Sequence, residues 1–133
     1  MKKKIKVKSC SNMSHFVLHE HYASHHHFDF RLEKFGTLKS WAVPKGMPLK
    51  VGDRRLAIQT ANHPLSYMSF EGTIPKGQYG AGVVKIADYG CYMPKIWNES
   101  KIEFILYGRK YKGKYILIPL KGVGQWILIK GKD

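Results

Sequence analysis

The chain has 133 residues, with 23 Lys and Arg against 9 Asp and Glu, a formal net charge of +14. That length suits one domain, and 44% hydrophobic with 13% aromatic residues supplies a core, which excludes wholesale disorder. No apolar run reaches the ~18–20 residues of a membrane span, and none follows the charged start Met1-Lys2-Lys3-Lys4-Ile5-Lys6, so neither a transmembrane segment nor a signal peptide is expected.

Five lysines fall in the first eight residues, so residues 1–14 read as a basic tail and 15–133 as the folded domain. Cys10 and Cys91 fit neither a disulfide framework nor a CxxC metal site, which points to a reducing, cytoplasmic setting. Residues 16–18 are a short candidate strand, whereas 20–26 are polar without alternation and suit a loop or one helical turn. Phe28, Phe30 and Leu32 then alternate with Asp29, Arg31 and Glu33, the period of a half-buried strand. Gly36 offers a turn, and 38–43 runs extended until Pro44. A further strand is predicted at 55–60. The stretch 61–82 is long for a loop, and such loops often carry function. Within it, Asn62 before His63-Pro64 predicts a short helix with His63 and Tyr67 on one face. Strands at 83–88, 101–107, 114–120 and Gln125–Lys130 complete the chain. Many short strands with glycine punctuation imply an all-β sandwich or barrel.

The charge calls for a polyanion, and nucleic acid is the usual one. The lysines of the start alone are equally a solvated tail. Attachment to a membrane surface lacks an amphipathic helix, and self-repulsion at +14 favours a monomer.

Six of the seven histidines lie between positions 15 and 27. On a strand, residues two apart face the same way, so His27, Asp29 and Arg31 stand on one face at intervals of about 7 Å. Imidazole beside carboxylate is metal-ligand chemistry, and His21 can fold back as a second imidazole. Two His and one carboxylate with open positions suit Mn²⁺ or Fe²⁺ better than a closed structural zinc site. A histidine run also occurs as an adventitious surface binder, and His25 and His26 read as bystanders, because pleat and turn cannot aim every ring at one ion. Arg31 supplies a planar fork for phosphate. Lys45, Arg55, His63 and Tyr67 add anion-binding and hydrogen-bonding groups, each of which is singly a common solvated surface residue. Gly77, Gly80 and Gly82 match neither a Walker loop nor a dinucleotide fingerprint and read as turn glycines.

The run His21-Tyr22-Ala23-Ser24-His25-His26-His27-Phe28-Asp29-Phe30-Arg31-Leu32-Glu33 closely resembles the 3′-phosphoesterase domain of bacterial DNA ligase D. The resemblance continues through Leu38-Lys39-Ser40-Trp41-Ala42-Val43-Pro44-Lys45-Gly46, His63-Pro64-Leu65-Ser66-Tyr67, Phe70-Glu71-Gly72-Thr73-Ile74-Pro75, Gly77-Gln78-Tyr79-Gly80-Ala81-Gly82 and Trp126-Ile127-Leu128-Ile129-Lys130. It implies a compact antiparallel β-barrel with one or two short helices and a site on its concave outer surface. It implies an ion, typically Mn²⁺, on His21, His27 and Asp29, with the scissile phosphate met by Arg31, Arg55, His63 and Tyr67. Family members trim a 3′-terminal ribonucleoside from a primer and then remove the remaining 3′-phosphate, leaving a 3′-OH end in DNA repair. This chain departs from the pattern in its short lysine-rich start, in Ala61 where an acidic residue is common, and in Pro119 at a position that is often arginine. A DNA ligase and polymerase are expected in trans. No serine or cysteine is flanked by a convincing base, which disfavours a covalent phospho-enzyme. Two rivals remain: an oxygenase with His63 as third iron ligand, and a non-catalytic nucleic-acid-binding or docking module of the same fold.

Overall fold

A computed structural model describes Cys10 and residues 12–133. Nine strands follow in order: β1 Ser14–Tyr22, β2 His27–Lys34, β3 Thr37–Val43, β4 Arg54–His63, β5 Gly72–Ile74, β6 Gly82–Trp97, β7 Ile102–Gly108, β8 Lys112–Pro119 and β9 Gln125–Lys130. Every pairing is antiparallel. The hydrogen-bonded order β1-β2-β3-β4-β9-β8-β7-β6 returns from β6 to β1, so eight strands close a barrel. The three-residue β5 adds to the free side of β6 where that strand begins. The expected all-β barrel is therefore the fold. The expected basic tail falls largely on residues 1–9 and 11, outside those described; Ser14 already belongs to β1.

Alternation explains the interior. The even positions of β2, Phe28, Phe30 and Leu32, pack with Phe16 and Leu18 of β1, Trp41 and Val43 of β3, and Leu128 of β9. Aromatic rings fill the centre: Phe104 lies 5.8 Å from Phe30, 6.0 Å from Tyr92 and 6.2 Å from Tyr115 between centroids. The odd positions of β1 and β2 are thereby turned to the outer face, where the histidines and Asp29 stand.

Three local features differ from the sequence-based expectation. First, β6 runs sixteen residues, not the six of 83–88. Gly90 within it is a close approach of two backbones: a Cβ there would lie 2.3 Å from the Tyr107 carbonyl oxygen of β7. Second, His63 stays in β4 instead of entering a helix, because a residue before proline is steered away from helical backbone. Pro64 is extended (φ −66°, ψ 152°), and a 3₁₀ turn follows at Leu65–Ser69. Third, Cys10 and Cys91 are not unpaired thiols; they form a disulfide across 81 residues of sequence. The register His15↔Cys91 brings the β6 cysteine beside the start of β1, a proximity that no spacing rule reveals. The bond removes the ground on which a reducing setting was inferred. Among the described residues no helix is long and apolar enough to cross a membrane.

Candidate active site

The site is assembled by register. In the β1–β2 pairing His19 lies opposite Asp29 and His21 opposite His27, which puts all four side chains on the outer face of two adjacent strands. His21 is thus a strand residue. The turn expected at 20–26 is confined to the residues after Tyr22. Arg31 follows two positions beyond Asp29, and Ser40 of β3 pairs with it. His21, His27, Asp29 and Arg31 open into a cleft of about 830 Å³. Its far wall is the 3₁₀ turn with Tyr67, β5, and the loop carrying Lys76, Gln78 and Tyr79.

Among the described residues, one nitrogen of His21, one of His27 and a carboxylate oxygen of Asp29 all lie within 4.8 Å of one another. His21 Nδ1 is 3.4 Å from Asp29 Oδ2, and His27 Nε2 is 3.2 Å from Asp29 Oδ1. The other nitrogen of each ring is committed elsewhere. His21 Nε2 faces the carbonyl oxygens of Gly80 (2.8 Å) and Ala81 (3.2 Å), and His27 Nδ1 faces that of His25 (2.9 Å). A carbonyl only accepts, so each of these nitrogens carries the proton. In the neutral rings, His21 Nδ1 and His27 Nε2 then offer lone pairs toward the same carboxylate. Lone pairs converging on an anion repel unless a cation or proton joins them, and outer-shell carbonyls of this kind are how metal-ligating imidazoles are oriented. Two neutral imidazoles and a carboxylate fit a divalent transition metal. The hydrogen bond to Asp29 holds the His27 ring above the ordinary imidazole range. Burial pushes Asp29 upward, but the His27 hydrogen bond and the Arg31 charge outweigh it and hold the carboxyl below its usual range.

Gly82 supports this arrangement. A Cβ there would sit 2.4 Å from the Tyr22 carbonyl oxygen, so only glycine lets β6 begin against the end of β1. That contact places the Gly80 and Ala81 carbonyls over His21. His25 contributes its carbonyl and not its ring, while His26 is bonded to Glu20 (2.8 Å) and stacked on Tyr22.

Arg31 is 3% exposed and its guanidinium is fixed by contacts on several sides. Nε donates to His19 Nδ1 (3.0 Å), and Nη1 donates to Ser40 Oγ (2.9 Å) and faces His63 Nδ1 (3.2 Å). Its carbon lies 5.0 Å from the centre of the Tyr67 ring. Nη2, 3.6 Å from Asp29 Oδ2, is the nitrogen left to offer N–H groups to an anion. His19 was not singled out by the sequence reading. Its Nε2 donates to the Phe70 carbonyl (3.1 Å) while Nδ1 accepts from Arg31. Burial, reinforced by the Arg31 charge, lowers its pKa to about 4. His19 is therefore neutral at working pH and positions Arg31. Replacing it by leucine leaves the buried Nε–H without an acceptor, and a drop in kcat/KM of roughly 10–100-fold is expected with metal affinity unchanged. Steady-state kinetics alongside calorimetric metal titration checks this; equal losses in both would instead place His19 among the ligands.

His63 Nδ1 faces two incompatible partners, the Arg31 Nη1 donor at 3.2 Å and the Ala61 carbonyl acceptor at 3.0 Å. Neutral with a lone pair at Nδ1, the ring serves Arg31; protonated, it serves Ala61. Burial, then the Arg31 charge, lowers its pKa, which favours the neutral form before an anion enters. Tyr67 lies tilted 4.7 Å from His63 and edge-on 5.3 Å from His19 between centroids, so the expected His63–Tyr67 contact forms from a strand end and a 3₁₀ turn.

A family model described as the DNA ligase D 3′-phosphoesterase domain matches residues 19–119. The chain belongs to this family. It is 44% identical over 134 residues to the multifunctional non-homologous end joining protein LigD of Pseudomonas aeruginosa, covering 95% of this chain and 16% of that protein. The LigD of Mycolicibacterium smegmatis is 38% identical over 138 residues, covering 96% and 18% respectively. The DNA repair protein LigD of Mycobacterium tuberculosis is 44% identical over 122 residues, covering 89% and 16%. The chain thus spans less than a fifth of the length of these curated relatives.

Within this 3′-phosphoesterase-family barrel, two sequence-predicted phosphate contacts stand apart from the cluster. Arg55 lies five residues from Thr60 along β4, about 17 Å on an extended strand. It also alternates onto the face of buried Ala57, whereas Thr60 lines the cleft. Its Nη1 donates to the Arg54 carbonyl (2.9 Å). Lys45 is exposed in the turn after β3 and is not among the cleft residues. Conversely, Lys76, Gln78 and Tyr79 line the cleft although the sequence reading gave none of them a role in the site. Their signal is topological, since the loop reaches the site only because β6 pairs with β1.

Proposed function

We propose that this chain is a Mn²⁺-dependent phosphoesterase that heals nucleic-acid 3′ ends, removing a 3′-terminal ribonucleoside and then the 3′-phosphate to leave a 3′-OH. One observation carries the reading: three lone-pair donors converge beside a guanidinium whose orientation is locked from several sides. Family membership and relatives named for non-homologous end joining support the substrate class. The 3′-OH so produced is the end that a polymerase or ligase acting in trans requires.

His21, His27 and Asp29 would hold the ion, which supplies Lewis-acid polarisation of a phosphoryl oxygen and a more acidic bound water. Arg31 Nη2 donates to a non-bridging oxygen and neutralises charge that grows in the transition state. His19, Ser40 and Tyr67 keep the guanidinium from turning away. His63 is the proton carrier: phosphate charge favours its protonated form, in which Nδ1–H is taken by the Ala61 carbonyl and the Nε2 proton is the one passed to the leaving oxygen. Removal of the monoester needs more neutralisation than the diester step. With Ala61 in place of an acidic neighbour, the diester step is the faster one and 3′-phosphate ends accumulate transiently.

Metal binding must displace the proton that His27 holds in the free site. Because that proton is held above the ordinary imidazole range while Asp29 stays ionised, Mn²⁺ affinity is expected to rise with pH through the neutral region and then level off, with release of about one proton. Titration calorimetry in buffers of different ionisation enthalpy reads both quantities; a pH-independent affinity would remove His27 from the ligand set.

Product analysis on a primer ending in one ribonucleotide tests the function. With Mn²⁺ the terminal ribonucleoside should be lost first, giving a 3′-phosphate that converts to 3′-OH. No product from any 3′ end would leave a docking module, and iron- and oxygen-dependent oxidation of a small substrate would restore the oxygenase. Direct appearance of 3′-OH ends, or equal cleavage of an all-deoxy primer, would overturn the proposed order.

A further inference from the structure

The turn joining β2 to β3 is built from Phe35 and Gly36, both left-handed with φ of 55° and 75°. A two-residue hairpin turn of this kind favours Asn, Asp or Gly at its first position, and a bulky side chain there is a steric outlier. Burial does not compensate, because Phe35 is 74% exposed. The ring is instead held upright among cations and a second aromatic. It meets Trp97 edge-on at 6.2 Å and 82°. Lys34 Nζ lies 5.1 Å from both ring centres, and Lys39 Nζ lies 5.8 Å from Phe35. The carboxylate on this hairpin, Glu33, is turned to the backbone N–H (2.8 Å) and ring (3.0 Å) of His15. An exposed backbone outlier that costs stability and presents an aromatic face points to function more than to folding.

An aromatic face flanked by lysines matches what single-stranded nucleic acid offers, a flat base between phosphates. We propose that Phe35 is a stacking platform for a nucleic-acid base, with the adjoining phosphates on Lys34 and Lys39. The hairpin tip lies four residues beyond Arg31 in sequence, about 13 Å of extended backbone. The patch therefore engages the strand a few nucleotides in from the end held at Arg31, a placement that rests on the 3′-end reading above. A strongly basic chain suits a polyanionic occupant here.

The test uses Phe35→Asn, which suits the left-handed turn and removes the ring. Metal-free binding is measured by fluorescence anisotropy with an oligonucleotide of about 12 nucleotides, and by competition with a dinucleotide, too short to reach Phe35 from Arg31. The variant should melt no lower than wild type, bind the longer strand roughly five- to tenfold more weakly, and compete unchanged for the short one. Lys34→Gln with Lys39→Gln should lower the salt slope for the longer strand by about 1.4. Unchanged affinity of Phe35→Asn for the longer strand would overturn the proposal. So would a loss confined to association with another protein, which would make the patch a protein-docking surface. If wild type heals 3′ ends while Phe35→Asn binds normally, only this inference falls. If 3′ ends are untouched yet Phe35-dependent binding persists, the stacking platform stands and the phosphoesterase reading falls.

Discussion

Asp29→Asn is expected to lower Mn²⁺ affinity and metal-dependent turnover by more than about 100-fold, because even partners one shell further out cost 10–100-fold. The substitution keeps the shape of a buried side chain and exchanges an anion for an amide. That amide donates to the lone pair of neutral His27, 3.2 Å from the present carboxylate, so the free site loses its need for a bridging proton or cation. The barrel interior is untouched, since Asp29 faces outward between Phe28 and Phe30 on the core side. A melting temperature near that of wild type is therefore expected together with lost metal binding. Wild-type Mn²⁺ affinity in Asp29→Asn would remove the carboxylate from the ligand set. His27→Ala should share the loss, and His25→Ala should not, because only the backbone of His25 touches the site.

Arg31→Lys is the second large effect, with a loss of roughly 100-fold or more in kcat/KM at nearly unchanged metal affinity. A lysine ammonium is a point charge. It cannot satisfy His19 Nδ1, Ser40 Oγ and His63 Nδ1 at the spread of positions that Nε and Nη1 now reach, and it cannot lie as a plane over Tyr67. Some loss of stability accompanies it, as a buried guanidinium network is exchanged for an incompletely paired buried ammonium. The split between kinetics and metal titration separates this outcome from a general disturbance of the site. Full activity in Arg31→Lys would reduce the residue to generic electrostatics.

Much of this was legible in the residues because β-structure writes its faces into sequence with period two. Phe28-Asp29-Phe30-Arg31 states both the core and the outer face of β2, and the structure places both as the alternation requires. What stayed hidden depends on which strands meet. His19 has no local signature, yet it shares the odd-numbered face of β1 with His21, and the pairing His19↔Asp29 sets it under Arg31. Had β1 been extended to His21 on that parity, His19 would have stood out. The loop with Lys76, Gln78 and Tyr79 enters the cleft through the β1–β6 pairing, some sixty residues apart in sequence. The same pairing brings Cys91 to Cys10. Arg55 shows the converse: as an isolated arginine it suits phosphate, but alternation along β4 turns it onto the Ala57 side. The length of β6 beyond residue 88 stayed hidden as well, because Gly90 there answers the approach of two backbones and not a turn.

The proposed metal centre beside Arg31 is tested most directly by a crystal grown with Mn²⁺ and measured on both sides of the manganese absorption edge. The account predicts one strong anomalous peak within bonding distance of His21 Nδ1, His27 Nε2 and the Asp29 carboxylate, and its absence in Asp29→Asn crystals grown alike. A peak held by His63, or one confined to the exposed His25 and His26 rings, would contradict it.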